Sequence, residues 1–224
     1  MELLEALSTR ISARAFLDTP VPRGVVREII ELASQAPSGS NMQPWQIHAV
    51  AGDTRRQLIE KALSYAEKHP IGATRSEYQS APEHFVKPYK SRRFACGMAL
   101  YTALGIDRKD KAARAQQLLR NFYFFDAPVG LIFSIHRCLM PGQLGDLGIL
   151  MANVMLAARE FGLHTCAQGF WQDVRPAIHE VLDIPEEYYI YNGMALGHID
   201  ENAAANQVKP GREPVDSFTH FLGF

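Results

Sequence analysis

The sequence predicts a single globular domain in which amphipathic helices pack around a small β-sheet. Apolar residues recur at spacings of three and four in several segments, as at 23–35, which is the pattern of a helix with one buried face. Shorter segments alternate polar and apolar residues, as at 46–51, or are continuously apolar, as at 129–135, and both patterns are typical of strands. With 224 residues, 47% of them hydrophobic, the chain can bury one substantial core, so we expect one domain over residues 1–224.

The charge pattern narrows the possible partners. The formal net charge is −1, without a basic or acidic block, which argues against binding to nucleic acid or to an anionic membrane surface. Residues 1–14 are charged and amphipathic, unlike a secretory signal, and no stretch of about 18 uncharged apolar residues could cross a membrane. We therefore expect a cytoplasmic protein whose partners are small molecules or a second copy of itself.

The three cysteines, Cys96, Cys138 and Cys166, are far apart in the sequence. They form no CxxC pair and have no histidine at a metal-ligand spacing. We expect reduced, buried thiols and neither a disulfide framework nor a metal site.

The N-terminal segment carries the first candidate binding residues. Its apolar residues predict a helix over 2–14, on which Arg10 and Arg14 share a face, with Ser12 between them in sequence. Two guanidinium groups placed so closely repel each other unless an anion lies between them. The alternative is a solvated basic edge.

A polar loop at 36–45 follows the helix predicted for 23–35. Pro37 and Pro44 bracket it, so the helix must stop and the chain must turn before the strand at 46–51. A loop held at both ends can present hydrogen bonds to a polar ligand, although a plain connection would look the same. The groups available for this are those of Ser38, Ser40 and Asn41.

The middle of the chain is less regular. Gly52 and Asp53 offer a turn and a cap for a helix over 54–67. Residues 68–90 lack periodicity, and we interpret them as an irregular excursion that packs over the substrate side. Helices are predicted at 91–105 and 107–125; the second ends in four adjacent aromatic residues, which indicate core or interface more than a stacking platform for a ligand.

A long apolar helix is predicted at 143–161. It is apolar almost all round, so we expect it to be the buried central helix, with Gly162 ending it as a C-cap. Gly142, Gly145 and Gly148 recur every third residue, but they do not form GxGxxG after a strand. We therefore attribute these three glycines to close helix packing rather than to nucleotide binding.

The last third of the chain predicts two strands and an apolar tail. A short strand at 164–167 is broken at Gln168 and Gly169, where a glycine permits close approach to the backbone. A helix is expected up to residue 182 and a final strand at 188–199. The C-terminal extension, 200–224, is too apolar to be simply disordered, so we expect it to lie on another surface, such as that of a second subunit.

Four of these motifs in order resemble the FMN-dependent nitroreductase family. They are the Arg-Ile-Ser-Ala-Arg run at 10–14, the loop at 36–45, the Gly-containing strand break at 162–169, and Arg-Glu-Pro at 212–214. Ala-Leu-Gly-His at 195–198 also matches, and the similarity spans the whole chain. Within the family the chain looks most like the nitrobenzoate-reductase-like branch.

The resemblance implies a fold and an assembly. The fold is α+β, a mixed central sheet flanked by helices with a buried central helix, and the C-terminal tail extends over the partner subunit. The assembly is an obligate homodimer that holds two FMN molecules at its interface.

The same resemblance implies which residues bind the cofactor. Arg10 and Arg212 would hold the FMN phosphate with the Ser12 hydroxyl, and Arg14 would reach the pyrimidine edge of the flavin. The backbone at Gln168 and Gly169 would meet flavin N5, and the opposite subunit would contribute Pro37, Ser38, Ser40 and Asn41. Family members often use a further basic residue near the flavin, for which the candidates are Lys87, Arg92 and Arg93.

The residue chemistry agrees with this picture. Arginine forks suit a dianionic phosphate, and a cation near the flavin edge stabilises the reduced ring. No hydrolytic or metal-dependent motif competes, so the sequence predicts no catalytic side chain. The expected reaction is ping-pong transfer from NAD(P)H through FMN to a nitroaromatic compound or a quinone. The alternatives are a flavin-dependent oxidase, a dehalogenase or a flavin-fragmenting enzyme on the same fold, or a flavin-binding protein without turnover.

Overall fold

A computed structural model describes residues 1–69, 82 and 84–224. Its sheet has four strands in the order β1-β2-β4-β3, and every neighbouring pair is antiparallel. Among the described residues, the parallel part of the expected mixed sheet is limited to one bridge between Ser12 and Thr165. The strands are β1 (Trp45–Ala51), β2 (Val129–His136), β3 (His164–Gln168) and β4 (Tyr188–Gly197).

Helices cover both faces of this sheet, which confirms the α+β class. Where the structure describes the chain, it has seven α-helices and short 3-10 segments between them. The predicted excursion at 68–90 falls largely on 70–81 and 83, which lie outside the described residues. The helices are α1 (Leu3–Thr9), α2 (Arg23–Ala33), α3 (Gly52–Lys68), α4 (Tyr89–Ala103), α5 (Lys111–Leu119), α6 (Leu144–Glu160) and α7 (Arg175–Leu182).

The central strand β2 separates two hydrophobic clusters. Ile132 packs into the cluster beneath α3 and α7, whereas Leu131 and Phe133 pack into the cluster beneath α2 and α6. Because successive side chains of a strand point to opposite faces, a strand covered on both sides must be continuously apolar. This explains the apolar run at 129–135 and confirms its predicted central position.

The first predicted helix is too long. Helix α1 ends at Thr9, and the chain then runs extended beside β3, where Ala13 N donates a hydrogen bond to Thr165 O at 3.0 Å. Phe16 bridges Ile199 farther along. Tertiary pairing with strands distant in sequence therefore overrides the helical apolar pattern of residues 10–14.

Two local expectations about helix ends are also wrong. Asp53 does not cap α3, because Ala51 occupies the N-cap position and the Asp53 carboxylate pairs with Arg56 instead. The helix expected over 107–125 is α5 only as far as Leu119 and continues as a 3-10 segment (Arg120–Asp126). The backbone turns left-handed there, which a regular helix cannot accommodate.

The aromatic cluster at the end of that 3-10 segment belongs to the core, as predicted. Phe122, Phe124 and Phe125 are buried and only Tyr123 is exposed. The Phe124 ring stacks on Trp171 with ring centroids 4.4 Å apart. The cluster therefore braces the segment that follows β3.

Helix α6 packs on the sheet with one face, and the described residues leave the other face uncovered. Ile149 on the open face is 42% exposed. A Cβ added at Gly142, Gly145 or Gly148 would meet nothing within 4 Å. Close packing of these glycines within the chain is therefore a wrong expectation, since their side of α6 points away from the sheet.

The prediction for the cysteines is half right. All three are free thiols, but Cys96 and Cys138 are exposed and only Cys166 is buried. Among the described residues, no helix is both long enough and apolar enough to span a membrane.

Candidate functional site

One large cleft of about 2180 Å³ collects residues from both ends of the chain. The N-terminal segment, the end of β3 and the C-terminal tail all contribute to its lining. Six of the predicted site residues lie along it: Arg10, Ser12, Arg14, Gln168, Gly169 and Arg212.

The N-terminal basic residues reach the cleft through strand geometry. In an extended chain every second side chain points the same way, so Arg10, Ser12 and Arg14 share one face. Ala13 points to the other face and is fully buried. The shared face predicted for Arg10 and Arg14 is therefore present, although the helix on which that prediction rested is absent.

Besides its pairing with β3, this extended segment is held by the side chain of Asn206. Asn206 Oδ1 accepts a hydrogen bond from Arg14 N at 2.7 Å. Its Nδ2 donates to Ala15 O at 2.9 Å and to Asp200 O at 2.8 Å. Asn206 thus ties the basic segment to the C-terminal extension and orients the face that the arginines share.

The arginine of the tail approaches the same cleft from the other end of the chain. Arg212 is exposed, and within the described part of the chain its Nη1 donates only to the backbone oxygens of Pro210 and Gly211, at 3.0 and 3.1 Å. Lys209 lines the cleft beside it. Basic groups from the two termini therefore face one space.

The end of β3 presents backbone rather than side chain to the cleft. The Gln168 side chain is only 1% exposed, since its Nε2 donates to Asn121 O at 2.7 Å and its Oε1 accepts from Trp171 Nε1 at 3.4 Å. Gly169 follows at the surface of the cleft, and a Cβ there would meet nothing within 4 Å. A planar ligand can therefore approach this backbone closely.

A buried arginine borders the site beneath the N-terminal segment. Arg159 Nη1 donates to Leu163 O at 3.2 Å and contacts His164 Nδ1 at 2.9 Å. Burial, reinforced by the positive charge of Arg159 and by His198, lowers the pKa of His164 from 6.5 to about 4. His164 is therefore neutral at physiological pH and accepts a hydrogen bond from the arginine.

The buried thiol beside the arginines is not a nucleophile. Burial raises the pKa of Cys166 to about 11, despite the opposing charges of Arg14 and Arg10. A thiol in this state is almost wholly protonated at neutral pH and is unreactive.

The lining is strongly basic overall. Glu201 is the single acidic residue of the cleft among those that the structure describes. The basic residues of the lining come from the N-terminal segment, from α4 and α5, from α6 and from the tail. The arrangement suits a large anionic ligand with a planar part.

The predicted loop lies outside this cleft, so Pro37, Ser38, Ser40 and Asn41 do not line it. The loop is held firmly: Gly39 N donates to Asp146 Oδ2 at 3.0 Å, and Gln43 N donates to Ser38 Oγ at 2.9 Å. Ser40 and Asn41 adopt left-handed backbone angles, which asparagine tolerates and serine adopts only rarely. That the loop serves the site of an opposite subunit stays a prediction.

The structure separates the three candidates for the further basic residue. Lys87 and Arg93 line the cleft, whereas Arg92 does not. Arg92 Nε instead pairs with Glu213 Oε1 at 3.0 Å. Lys87 and Arg93 therefore remain the candidates for the further basic residue.

Comparison with known proteins identifies the family. A sequence model of the Nitroreductase family matches residues 7–198. The chain belongs to this family. It is 38% identical over 218 residues to a 4-nitrobenzoate reductase of Pseudomonas putida, which covers 97% of this chain and 94% of the relative. It is 36% identical to a chloronitrobenzene nitroreductase of Comamonas testosteroni, with 97% and 96% of the two chains covered.

A solved structure agrees with the fold of this nitroreductase-family chain. The FMN- and NADPH-dependent nitroreductase NfnB from Sphigopyxis sp. strain HMH superposes with a TM-score of 0.95. The two chains are 36% identical, and each is covered to 100%. The resemblance and the fold class inferred from the sequence are confirmed.

Some residues of the site were missed by sequence reasoning. Lys209 could have been predicted from the sequence, because it is a basic residue three positions before Arg212 in the same tail. For Arg159, nothing local in the sequence marks it as a neighbour of the cleft. Asn206 has no sequence signal, since its partner Arg14 is 192 residues away.

The His164 environment makes a prediction about acid stability. As pH falls from 6.5 to 4, His164 takes up a proton in the unfolded chain but not in the folded chain, so folding stability should fall across this window. His164→Asn keeps a hydrogen-bond acceptor and removes the titrating group. Urea unfolding at pH 7 and pH 4.5 should show a smaller loss of stability for the variant than for the wild type. An equal loss in both proteins would contradict the assignment.

Proposed function

We propose that this protein is an FMN-dependent oxidoreductase that uses NAD(P)H to reduce nitroaromatic compounds or quinones. The observation that carries the proposal is the face of Arg10, Ser12 and Arg14, which meets Arg212 and the open backbone at Gly169 in one cleft. Its relatives include reductases named for 4-nitrobenzoate and chloronitrobenzene.

The donor set fits FMN. The Arg10 guanidinium has no hydrogen-bond or ion-pair partner among the described residues, so its donors are available for a phosphate. Among the described residues, Arg212 donates only to two backbone oxygens of its own segment. The backbone at Gly169 leaves room for the flat flavin ring.

We assign roles accordingly. Arg10 and Arg212, with the Ser12 hydroxyl, bind the phosphate, and Arg14 stabilises negative charge at the pyrimidine edge. Asn206 positions the N-terminal segment, and the Gln168 side chain holds the Gly169 backbone in place. The chemistry that bound FMN supplies is two-electron transfer through N5, from NAD(P)H to the acceptor in a ping-pong cycle.

We further propose a cytoplasmic homodimer, in which each subunit completes the other's site through the loop at 36–45. Three features support this assembly: the rigid loop outside the cleft, the open apolar face of α6, and a tail with large exposed apolar side chains. Leu222 is 83% exposed and Phe224 is fully exposed, an arrangement that a second subunit would cover. The domain then spans 1–224, and the exposed apolar end of the extension at 200–224, beyond Glu213, lies against the partner.

A visible spectrum tests the proposed function. Protein reconstituted with FMN should be yellow, NAD(P)H should bleach it without oxygen, and 4-nitrobenzoate or a quinone should restore the colour. A colourless protein after reconstitution, or flavin that NAD(P)H does not bleach, would refute the proposal. Turnover rates with oxygen and with halogenated phenols would rank the oxidase and dehalogenase alternatives in the same assay.

The open face of α6 gives a test of the dimer. Within one chain, a Cβ at Gly148 would meet no described atom within 4 Å, so Gly148→Leu should raise helix stability by about 0.5 to 1 kcal/mol, because leucine is the better helix former. If a second subunit packs closely there, the same change should produce monomers that lose FMN. Sedimentation velocity and flavin content measure both effects. Gly24→Leu on α2 is the control, since its site is equally open. A Gly148→Leu protein that stayed dimeric and yellow would exclude this face from the interface.

A further inference from the structure

The proposed FMN contacts assign no role to a second basic part of the cleft, in which only Arg93 is also a candidate for the further basic residue near the flavin. Arg108 lies between α4 and α5, and Arg114 lies on α5; both line the cleft. Lys90 and Arg93 on α4 line it as well. We call these four residues the distal cluster.

Contacts with aromatic rings and with the backbone hold the two arginines of the α5 region. The Arg114 guanidinium lies 5.3 Å from the centroid of the Tyr101 ring, and its Nη1 donates to Arg108 O at 3.1 Å. The Arg108 guanidinium lies 5.3 Å from the Phe94 ring centroid. Cation–π contacts of this kind orient a guanidinium while its edge remains free to donate hydrogen bonds.

The distal cluster is connected to the flavin end of the cleft by one face of α5. Arg114, Gln117 and Leu118 on α5 line the cleft, and so does Asn121 in the 3-10 segment that continues the helix. Asn121 O accepts the hydrogen bond that fixes Gln168 beside Gly169. Seven residues separate Arg114 from Asn121, which corresponds to about 10 Å along a helix. The Gly169 backbone and the distal cluster therefore line one cleft, connected through Asn121 and α5, which suits an extended ligand.

The positive charge of the distal cluster is not neutralised by described carboxylates. No described acidic group lies within ion-pair distance of the cluster, unlike Arg92, which pairs with Glu213. The nearest acids in sequence are engaged elsewhere, since Asp107 accepts from Lys109 N at 2.7 Å and Asp110 caps α5 through Ala113 N at 2.9 Å. Moreover, Arg114 Nε is buried without a hydrogen-bond partner in the described part of the chain.

We propose that Arg108 and Arg114 form an anion subsite for the ligands that visit the flavin. It takes a ligand whose anionic group lies far from its reacting end, either the extra phosphate of NADPH or the carboxylate of an aromatic nitro acid. The inference rests on the proposed function for the position of the reacting end. Lys90 and Arg93 add to the potential, and the neighbouring rings offer stacking surface for a base or an arene.

Equilibrium binding to the oxidised, FMN-loaded protein tests the subsite without turnover. The variants are Arg108→Gln and Arg114→Gln, and the matched control is Lys109→Gln, which removes the same charge from an exposed neighbour outside the cleft. Two ligand pairs differ only in the anionic group: NADP⁺ against NAD⁺, and 4-nitrobenzoate against 4-nitrobenzamide. Calorimetry or flavin fluorescence gives each Kd.

We expect each arginine variant to weaken binding of NADP⁺ or of 4-nitrobenzoate about tenfold. Binding of the matched ligand that lacks the extra anionic group, and all binding to the Lys109→Gln control, should stay unchanged. Selective loss of NADP⁺ affinity identifies the phosphate as the source, and selective loss of 4-nitrobenzoate affinity identifies the carboxylate. Equal changes for both members of each pair, or no change, would overturn the subsite. Because Arg108 makes no described side-chain hydrogen bond, its variant stays informative if Arg114→Gln folds poorly. Flavin bleaching is measured separately, so a failure of the subsite and a failure of the proposed function remain distinguishable.

Discussion

Arg10→Gln should weaken FMN binding by ten- to a hundredfold while leaving the affinity for riboflavin unchanged. The magnitude is that of a charge-assisted hydrogen bond to phosphate, about 1.5 to 3 kcal/mol. Riboflavin lacks the phosphate, so the comparison isolates the group that Arg10 is proposed to bind. Equilibrium dialysis of the apoprotein against each flavin measures the two affinities.

The fold should tolerate this change, because the Arg10 side chain makes no hydrogen bond or ion pair with described residues. A substitution away from such contacts usually alters stability by less than about 0.5 kcal/mol. Arg56→Gln, which removes an exposed arginine outside the cleft, is the matched control and should change neither flavin affinity. Unchanged FMN affinity, or an equal loss for riboflavin, would remove Arg10 from the phosphate site.

Arg212 and Arg14 should behave differently from Arg10 in the same assay. Arg212→Ala should also act on FMN alone, but more weakly, because Arg212 is exposed and salt screens its charge. Arg14→Gln should weaken both flavins, since its proposed contact is with the ring. The three profiles together discriminate phosphate contacts from ring contacts.

Local patterns predicted the strands of the sheet and the helices that pack on it. Burial of one face of an element imposes a regular spacing of apolar residues on the sequence. The N-terminal segment shows the limit of such patterns. Residues four positions apart share a face on a helix and also on a strand. The prediction that Arg10 and Arg14 share a face is therefore correct, although the segment is not the predicted helix. Only the distant partner Thr165 decides between the two, and a local window does not contain it.

The candidate site was partly predictable for a similar reason. Basic residues and a glycine can be recognised as candidate binding residues from their type alone, whereas Asn206 acts through partners far away in sequence. The open face of α6 is a second case. The sequence shows an apolar helix, but it cannot show whether the cover is the same chain or another one.

Gly193→Ala should be the most destabilising single change near the site, costing about 3 kcal/mol. Gly193 lies on β4 directly opposite Gln168, beneath the ring of Trp171. An added Cβ would overlap the indole, with the Trp171 Cγ atom at only 2.6 Å. Neither the β4 backbone nor the indole ring can move easily, since β4 is paired on both edges and Trp171 is fully buried against Phe124.

The double variant Gly193→Ala with Trp171→Leu identifies the cause. Trp171→Leu alone leaves a cavity and should cost about 3 kcal/mol. If the clash with the indole is what destabilises Gly193→Ala, the double variant should cost much less than the sum of the two, because leucine makes room for the methyl group. Urea unfolding of all four proteins measures this coupling, and Gly24→Ala, whose Cβ meets no atom, should be neutral or slightly stabilising. Strictly additive costs would mean that Gly193 is required for a reason other than room for the Trp171 ring.

The same double variant also tests the role of Trp171 in the site, because Trp171 holds the Gln168 side chain. A double variant that regains stability but does not bind flavin would show that Trp171 positions the Gly169 backbone.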